Sequence, residues 1–254
     1  MKEQIFNLTG KKALITGGSR GLGQAISVGL AEAGAHVAIT SRSLSSLEET
    51  SQLITDSGGS FTAVELNVRD IAAVGRKIDT LAADLGGLDI LVNNAGYEEV
   101  KPSLEIEEEL WDKISDTNLK GAFFCSKHAA KSMMGRGGTI INVCSLTSYV
   151  GVPTAVPYSS SKSGLLGMTR ALSAEWAKDK IRVNAIAPGY YRTELTEKFY
   201  KDENWQLAML EKIPFGTFGD PDDLKGVVIF LSSSASAYIT GQCIAIDGGF
   251  LASI

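Results

Sequence analysis

The chain has 254 residues, 44% of them hydrophobic and 21% charged, which suits one large folded domain and excludes a disordered or collagen-like chain. A net charge of −5 speaks against a general binder of nucleic acid or anionic membrane. The cysteines, Cys125, Cys144 and Cys243, form no CxxC, and no apolar run reaches bilayer length. That predicts reduced thiols in a soluble, cytoplasmic protein. His36 and His128 have no partner at ligand spacing, so no His-based metal site is expected.

Residues 12–16 (KALIT) read as a first strand, followed at once by Gly17-Gly18-Ser19-Arg20-Gly21-Leu22-Gly23 and by helical apolar spacing to residue 34. Strand, glycine turn and helix together form a pyrophosphate cradle: the glycines allow a sharp turn, and the helix start offers unpaired N–H groups. Residues 36–40 (HVAIT) are a second strand, ending at Ser41-Arg42-Ser43. An acidic residue there would hold the 2′-hydroxyl of NAD. A hydroxyl and a guanidinium instead suit a 2′-phosphate, with Arg20 able to converge on it, so NADP(H) is expected over NAD(H).

The alternation continues through a helix over 45–57, a strand over 61–66 ending at Asn67-Val68, a helix over 71–85, and a strand over 88–92 ending at Asn93-Asn94-Ala95-Gly96. Short loops between alternating elements predict right-handed crossovers and a parallel sheet of about seven strands, helices on both faces: a doubly wound, Rossmann-type α/β fold forming one domain over 1–254. The acidic run 105–109 reads as a solvated first helical turn. One long helix is predicted over 110–134, a fifth strand over 139–144 with Ser145 at its end, a helix over 158–178, and a sixth strand over 181–187. Residues 194–213 read as helical, and the segment from about 190 to 212 as a lid over a substrate pocket. Asp220-Pro221 predicts a helix to about 233 with proline at its first position. The last strand covers 241–246.

Tyr158 and Lys162 fall one above the other on a helix face. The expected effect is an ammonium that lowers the tyrosine's pKa, so that it exchanges a proton with a carbonyl or alcohol oxygen. Small residues on the same helix (Ser159, Ser160, Ser161, Ser163, Gly164, Gly167) would permit close helix packing, within the chain or between subunits. Candidate pocket walls are Glu98, Leu146, Ser148, Val152, Tyr190, Tyr191 and residues 199–205. Arg192 or Lys198 is a candidate for binding an acidic substrate.

Over essentially its whole length the chain resembles the short-chain dehydrogenase/reductase family. The cofactor loop Thr16-Gly17 to Gly23, the Asn93-Asn94-Ala95-Gly96 motif, Asn118, Ser145, Tyr158 and Lys162 in order, and Pro188-Gly189 with Thr193 carry the resemblance. It implies a catalytic tetrad of Asn118, Ser145, Tyr158 and Lys162. It also implies a cofactor site of Gly17, Ser19, Arg20, Gly21, Leu22, Gly23, Ser41, Arg42, Asn67, Val68, Asn94, Ala95, Gly96, Tyr158, Lys162, Pro188, Gly189, Tyr191 and Thr193. Substrate would meet Ser145, Leu146, Tyr158, Tyr190 and Arg192. By the same resemblance Lys162 bonds the nicotinamide ribose, Asn118 holds a water that resupplies protons, and the protein is a homotetramer or dimer acting on a small carbonyl or alcohol. Asn67 departs from the family's usual Asp. Residues 184–194 (NAIAPGYYRTE), 213–214, 223–227 and 247–249 resemble gluconate 5-dehydrogenase-like members. A 3-oxoacyl-carrier-protein reductase is the alternative, and a non-catalytic dinucleotide sensor a more distant one.

Overall fold

A computed structural model describes residues 5–193 and 199–253. Seven strands form one parallel sheet: β1 Lys12–Ile15, β2 His36–Ser41, β3 Ser60–Glu65, β4 Ile90–Asn93, β5 Gly138–Val143, β6 Ile181–Pro188 and β7 Cys243–Ile246. Their order is β3-β2-β1-β4-β5-β6-β7. The strand order reverses between β1 and β4, the place where such sheets open a crevice at their carboxyl edge. Among the described residues no helix is long and apolar enough to cross a membrane.

The two-residue period of the strands explains the layers. On β1, Ala13 and Ile15 face one side and Leu14 the other. The first side packs against α1 (Gly21–Glu32), α2 (Glu48–Asp56) and α8 (Asp223–Ser232), through Ile26, Leu30, Ile54, Leu224 and Val228. The second packs against α3 (Ile71–Leu85), α5 (Gly121–Met133) and α6 (Val156–Trp176), through Val74, Ile78, Ala129, Met133 and Leu172. Each face removes a row of β-branched and leucine side chains from water, worth about 1.5–3 kcal/mol per fully buried large side chain.

The structure departs from the sequence-based expectations at four elements. The helix expected over 110–134 is two, α4 (Glu108–Ser115) and α5, joined by a π-helical turn, Asp116–Lys120. The extra residue resets the helix register where Gly121 meets the Val68 carbonyl, which a Cβ would approach to 2.8 Å. The helix expected over 45–57 begins as a 3₁₀ turn, Ser45–Leu47. Of the helix expected over 194–213, residues 194–198 lie outside the described residues; beyond them come a 3₁₀ turn, Phe199–Lys201, and α7, Glu203–Leu210, capped by the Asp202 carboxylate. Pro221 is not the first residue of α8. It sits in a preceding turn in which Asp223 N donates to the Asp220 carbonyl at 2.8 Å.

Candidate active site

The loop after β1 and the loop after β4 are locked together. Gly17 has φ +67 and Gly21 φ +54, the left-handed region that glycine enters without strain. Asn94 Nδ2 donates to the carbonyls of Thr16 (3.0 Å) and Gly17 (2.9 Å), while Asn94 N and Ala95 N donate to Thr16 Oγ1, both at 3.1 Å. A Cβ at Gly23 would lie 2.1 Å from the Gly17 carbonyl oxygen, so the turn closes only around glycine. Asn94 thus shapes the glycine loop through its side chain. Leu22 packs into the core. The start of α1 has no side-chain cap and no acidic residue in its first turn. Its orphan N–H groups and positive dipole end are an anion site.

At the end of β2, Ser41 is half-buried and Arg42 exposed, and Ser46 Oγ donates to Ser41 Oγ at 2.7 Å. Asn67 Oδ1 accepts from Arg69 N (3.1 Å) in a turn that exposes Asn67 and buries Val68. On the other flank, Thr193 reaches the glycine loop, its side chain standing about 3.3 Å from where a Gly21 Cβ would be. Gly189, after β6, abuts Asp247 so closely that a Cβ would lie 2.7 Å from the Asp247 Cα. Tyr191 does not come to the crevice with its ring. It is buried in the first core layer, its hydroxyl donates to the Ile246 carbonyl (3.1 Å), and it fills the space left by Gly219.

The four residues expected to carry the chemistry meet at the carboxyl edge. Ser145 follows β5, and its Oγ accepts from Thr147 N at 3.2 Å and hydrogen-bonds Tyr158. Pro157 fixes the first turn of α6, one residue before Tyr158. Lys162, one turn on, is buried; its Nζ donates to the Val143 carbonyl at 2.6 Å and lies 5.6 Å from the centre of the Tyr158 ring. Asn118, in the π turn, is fully buried. Its Oδ1 accepts from Tyr97 N (2.8 Å), and its Nδ2 donates to the Tyr97 carbonyl and to Ser161 Oγ, each at 3.0 Å. Ser161 Oγ in turn donates to the Tyr158 carbonyl at 2.7 Å. The Asn118 side chain therefore ties the wall that starts at Tyr97 to the helix that carries Tyr158 and Lys162. Gly96 leaves room between Asn118 Oδ1 and Lys162 Nζ.

The electrostatics differ from the expectation of a lysine-lowered tyrosine. Burial pushes the Tyr158 hydroxyl above its ordinary value, and the Glu98 carboxylate pushes it further, with the Ser145 hydrogen bond opposing both. Burial also lowers Lys162, against the pull of Cys144 and Glu98. The reason is desolvation: both groups lie where their charged forms lose water.

Beside Tyr158 is a cavity of about 180 Å³. Of the expected walls, Glu98, Leu146, Val152, Tyr190, Tyr200 and Trp205 line it; Ser148 and Tyr191 do not. Arg192 is not on the lining either; its guanidinium lies 5.9 Å from the Tyr200 ring centre. Lys198 lies outside the described residues. Sequence reasoning missed Val100, Thr147, Val150, Pro153 and Thr154. One signal pointed there, the turn-rich stretch after Ser145. Thr154 adopts φ +69, a strained value for a β-branched residue, held where Lys101 N donates to its carbonyl at 2.9 Å. The far wall is aromatic: Tyr190 meets Trp205 and Phe250 edge-on, and Tyr200 meets Trp205 and Phe218 edge-on. Among the described residues no group of three His, Cys, Asp or Glu side chains is placed to hold a metal.

Known proteins share this architecture throughout. A family model described as enoyl-(acyl carrier protein) reductase matches residues 17–251. A 2-dehydro-3-deoxy-D-gluconate 5-dehydrogenase of Escherichia coli (strain K12) is 43% identical over 97% of this chain and 98% of its own. Among solved structures, a protein assigned as a short-chain alcohol dehydrogenase of Sinorhizobium meliloti 1021 is 60% identical, with a TM-score of 0.96 over 98% of this chain and 100% of its own. A gluconate 5-dehydrogenase of Burkholderia cenocepacia J2315, in complex with NADP and tartrate, is 36% identical, with a TM-score of 0.95 over 98% of each chain. The glycine loop, the Tyr158–Lys162 helix and this full-length similarity establish that the chain belongs to the short-chain dehydrogenase/reductase family of oxidoreductases.

Proposed function

We propose that the chain is an NADP(H)-dependent oxidoreductase that interconverts a secondary alcohol and a ketone on a polyhydroxylated substrate of the sugar-acid class. The observation that carries this reading is the convergence of Ser145 and Tyr158 on one cavity that Gly189, just after β6, also lines. The uncapped start of α1, the glycine cradle, and Ser41 with Arg42 in place of an acid all suit NADP(H), with Arg20 at the same loop. The relatives named for gluconates, one of them holding NADP with tartrate, support both cofactor and substrate class. They favour a hydroxylated acid over a thioester on a carrier protein.

NADP(H) supplies or accepts the hydride. In reduction, Ser145 donates to the carbonyl oxygen and fixes its position while Tyr158 delivers the proton to that oxygen. In oxidation, Tyr158 takes the proton from the alcohol. A raised pKa keeps Tyr158 protonated at neutral pH, ready to act as the acid. Lys162 braces the end of β5 through the Val143 carbonyl, and Asn118 fixes the wall at Tyr97. The residues 1–254 work as one domain that binds dinucleotide and substrate together, with the segment around 190–212 as a lid that supplies the aromatic wall. Ser160, Ser163 and Gly167 are exposed on α6, which supports assembly into a homotetramer or dimer through that helix. Three free thiols and NADP(H) chemistry suit a cytoplasmic enzyme.

Tyr158→Phe tests the reading. Turnover of 5-ketogluconate with NADPH should fall by about 10²–10⁴, with NADPH affinity within about twofold of the parent chain. Substantial remaining turnover would remove Tyr158 as the acid. A clear preference for NADH would overturn the role given to Ser41 and Arg42.

A further inference from the structure

Two hydroxyls at the cavity are left unpaired by the protein itself. Tyr200 is only 4% exposed, and its Oη is buried without a hydrogen-bond partner. Thr147 Oγ1 is buried and unpartnered too, although Thr147 N is engaged by Ser145 Oγ. Both residues line the cavity, on different elements: Thr147 in the turn after the catalytic serine, Tyr200 on the aromatic wall. Other buried, unpartnered side-chain atoms, such as those of Thr40, Asn93 and Ser232, lie off the lining. Folded proteins pair nearly all buried polar groups, so an orphan at a cavity wall calls for a reason. Packing supplies none. The Tyr200 ring is already held edge-on by Trp205 at 5.3 Å and Phe218 at 4.7 Å, contacts that a phenylalanine would make equally well. The hydroxyl keeps its proton at neutral pH, since burial and then Tyr190 raise it to about 12.

We propose that Thr147 and Tyr200 hold hydroxyl groups of the substrate near the reacting carbon, and so set the enzyme's specificity for a polyhydroxylated ketone or alcohol. This rests on the reading above and adds to it the residues that recognise the substrate. Each side chain both donates and accepts, the pairing that a sugar hydroxyl returns. A site built to bond a hydroxyl discriminates against an analogue lacking it, because its own polar groups then stay unpaired.

The variants are Tyr200→Phe and Thr147→Val, which delete a hydroxyl and keep the shape. The first readout is the ratio of kcat/KM for 5-ketogluconate to that for cyclohexanone. It should favour 5-ketogluconate in the parent chain and fall about tenfold in each variant. The second is calorimetric titration of gluconate into the NADPH-loaded enzyme, where affinity should fall by a similar factor. Melting temperatures should stay level or rise, because an unpaired buried hydroxyl is being removed. A parent chain that does not discriminate between the ketones, an unchanged ratio in both variants, or unchanged gluconate affinity would overturn the proposal. Failure of the underlying reading shows elsewhere: a Tyr158→Phe enzyme that still turns over refutes the proton-transfer role while leaving the gluconate titrations to judge Thr147 and Tyr200.

Discussion

At the scale of single residues, the proposed proton donor, Tyr158, is governed by what surrounds it more than by its neighbour one helical turn away. Tyr158 faces Ser145 from the end of β5, Cys144 beside it, Glu98 from the wall opposite and Lys162 from its own helix. Burial and Glu98 both favour the neutral phenol. In the proposed mechanism the tyrosinate is the base of alcohol oxidation, so kcat/KM should climb with pH on the alkaline side. Removing the Glu98 charge removes one cause of the upward shift, and Glu98→Gln should move that climb to lower pH. A pH profile with its midpoint unmoved would show that Glu98 does not act on Tyr158. The same argument explains Lys162: a buried ammonium bonded to a strand carbonyl is a brace, and desolvation lowers it.

Elements place these residues by fitting tightly against one another. The glycine loop and the loop after β4 share four hydrogen bonds that converge on Thr16 and Asn94. Gly23 sits where a methyl group would lie 2.1 Å from the Gly17 oxygen and 2.3 Å from Asn94 Nδ2. Gly23→Ala should therefore open the turn, weaken NADPH binding measurably in titration, and cost about 1–3 kcal/mol of stability, as overpacking does. Deeper in the sheet, a buried polar chain links β4, β5, α5 and α6. Asn93 Nδ2 donates to Ser126 Oγ and to Asn142 Oδ1, both at 2.8 Å, and Asn142 Nδ2 donates to Thr169 Oγ1 at 2.9 Å. Asn142→Ala strips a partner from both Asn93 and Thr169. Asn93 Nδ2 keeps Ser126 Oγ and Thr169 Oγ1 keeps the Leu165 carbonyl, so chemical denaturation should show a loss of roughly 1–3 kcal/mol. A loss well under 1 kcal/mol would mean that the sheet relaxes around the gap.

For the molecule as a whole, the parallel sheet spends both faces on helices, so only helix surfaces and the sheet edges remain for self-association. On α6, Ser160, Ser163, Gly167 and Arg170 are exposed at helical spacing, and a Cβ at Gly167 would meet nothing within 4 Å. A larger residue there is harmless to the single chain but would hold apart two helices packed through that face. Gly167→Leu should keep the melting profile of a folded protein while lowering the mass found by light scattering. An unchanged oligomer would move the interface to another surface.

The order of elements, the glycine loop, and the positions of Asn118, Ser145, Tyr158 and Lys162 were all legible in the sequence. They rest on signals contiguous along the chain: a two-residue period giving way to a 3.6-residue one, and glycines where a turn must tighten. What the sequence could not decide depends on atoms distant along the chain. The π turn at Asp116–Lys120 ends where Gly121 comes close to Val68, a contact between residues distant along the chain. Tyr191 turned inward because Gly219 leaves it a space, although its neighbour Tyr190 lines the cavity. Arg192 lies against the Tyr200 ring and off the cavity lining, a contact between residues eight apart that periodicity does not fix. The direction of the Tyr158 shift is a sum over burial, Glu98, Cys144 and Ser145, brought together only by folding. The sequence thus determined the order of the elements and which groups are candidates for the chemistry, since motifs and periodicity are local. The tertiary structure decided their protonation and which hydroxyls stay unpaired, since desolvation and hydrogen-bond partners are properties of packing.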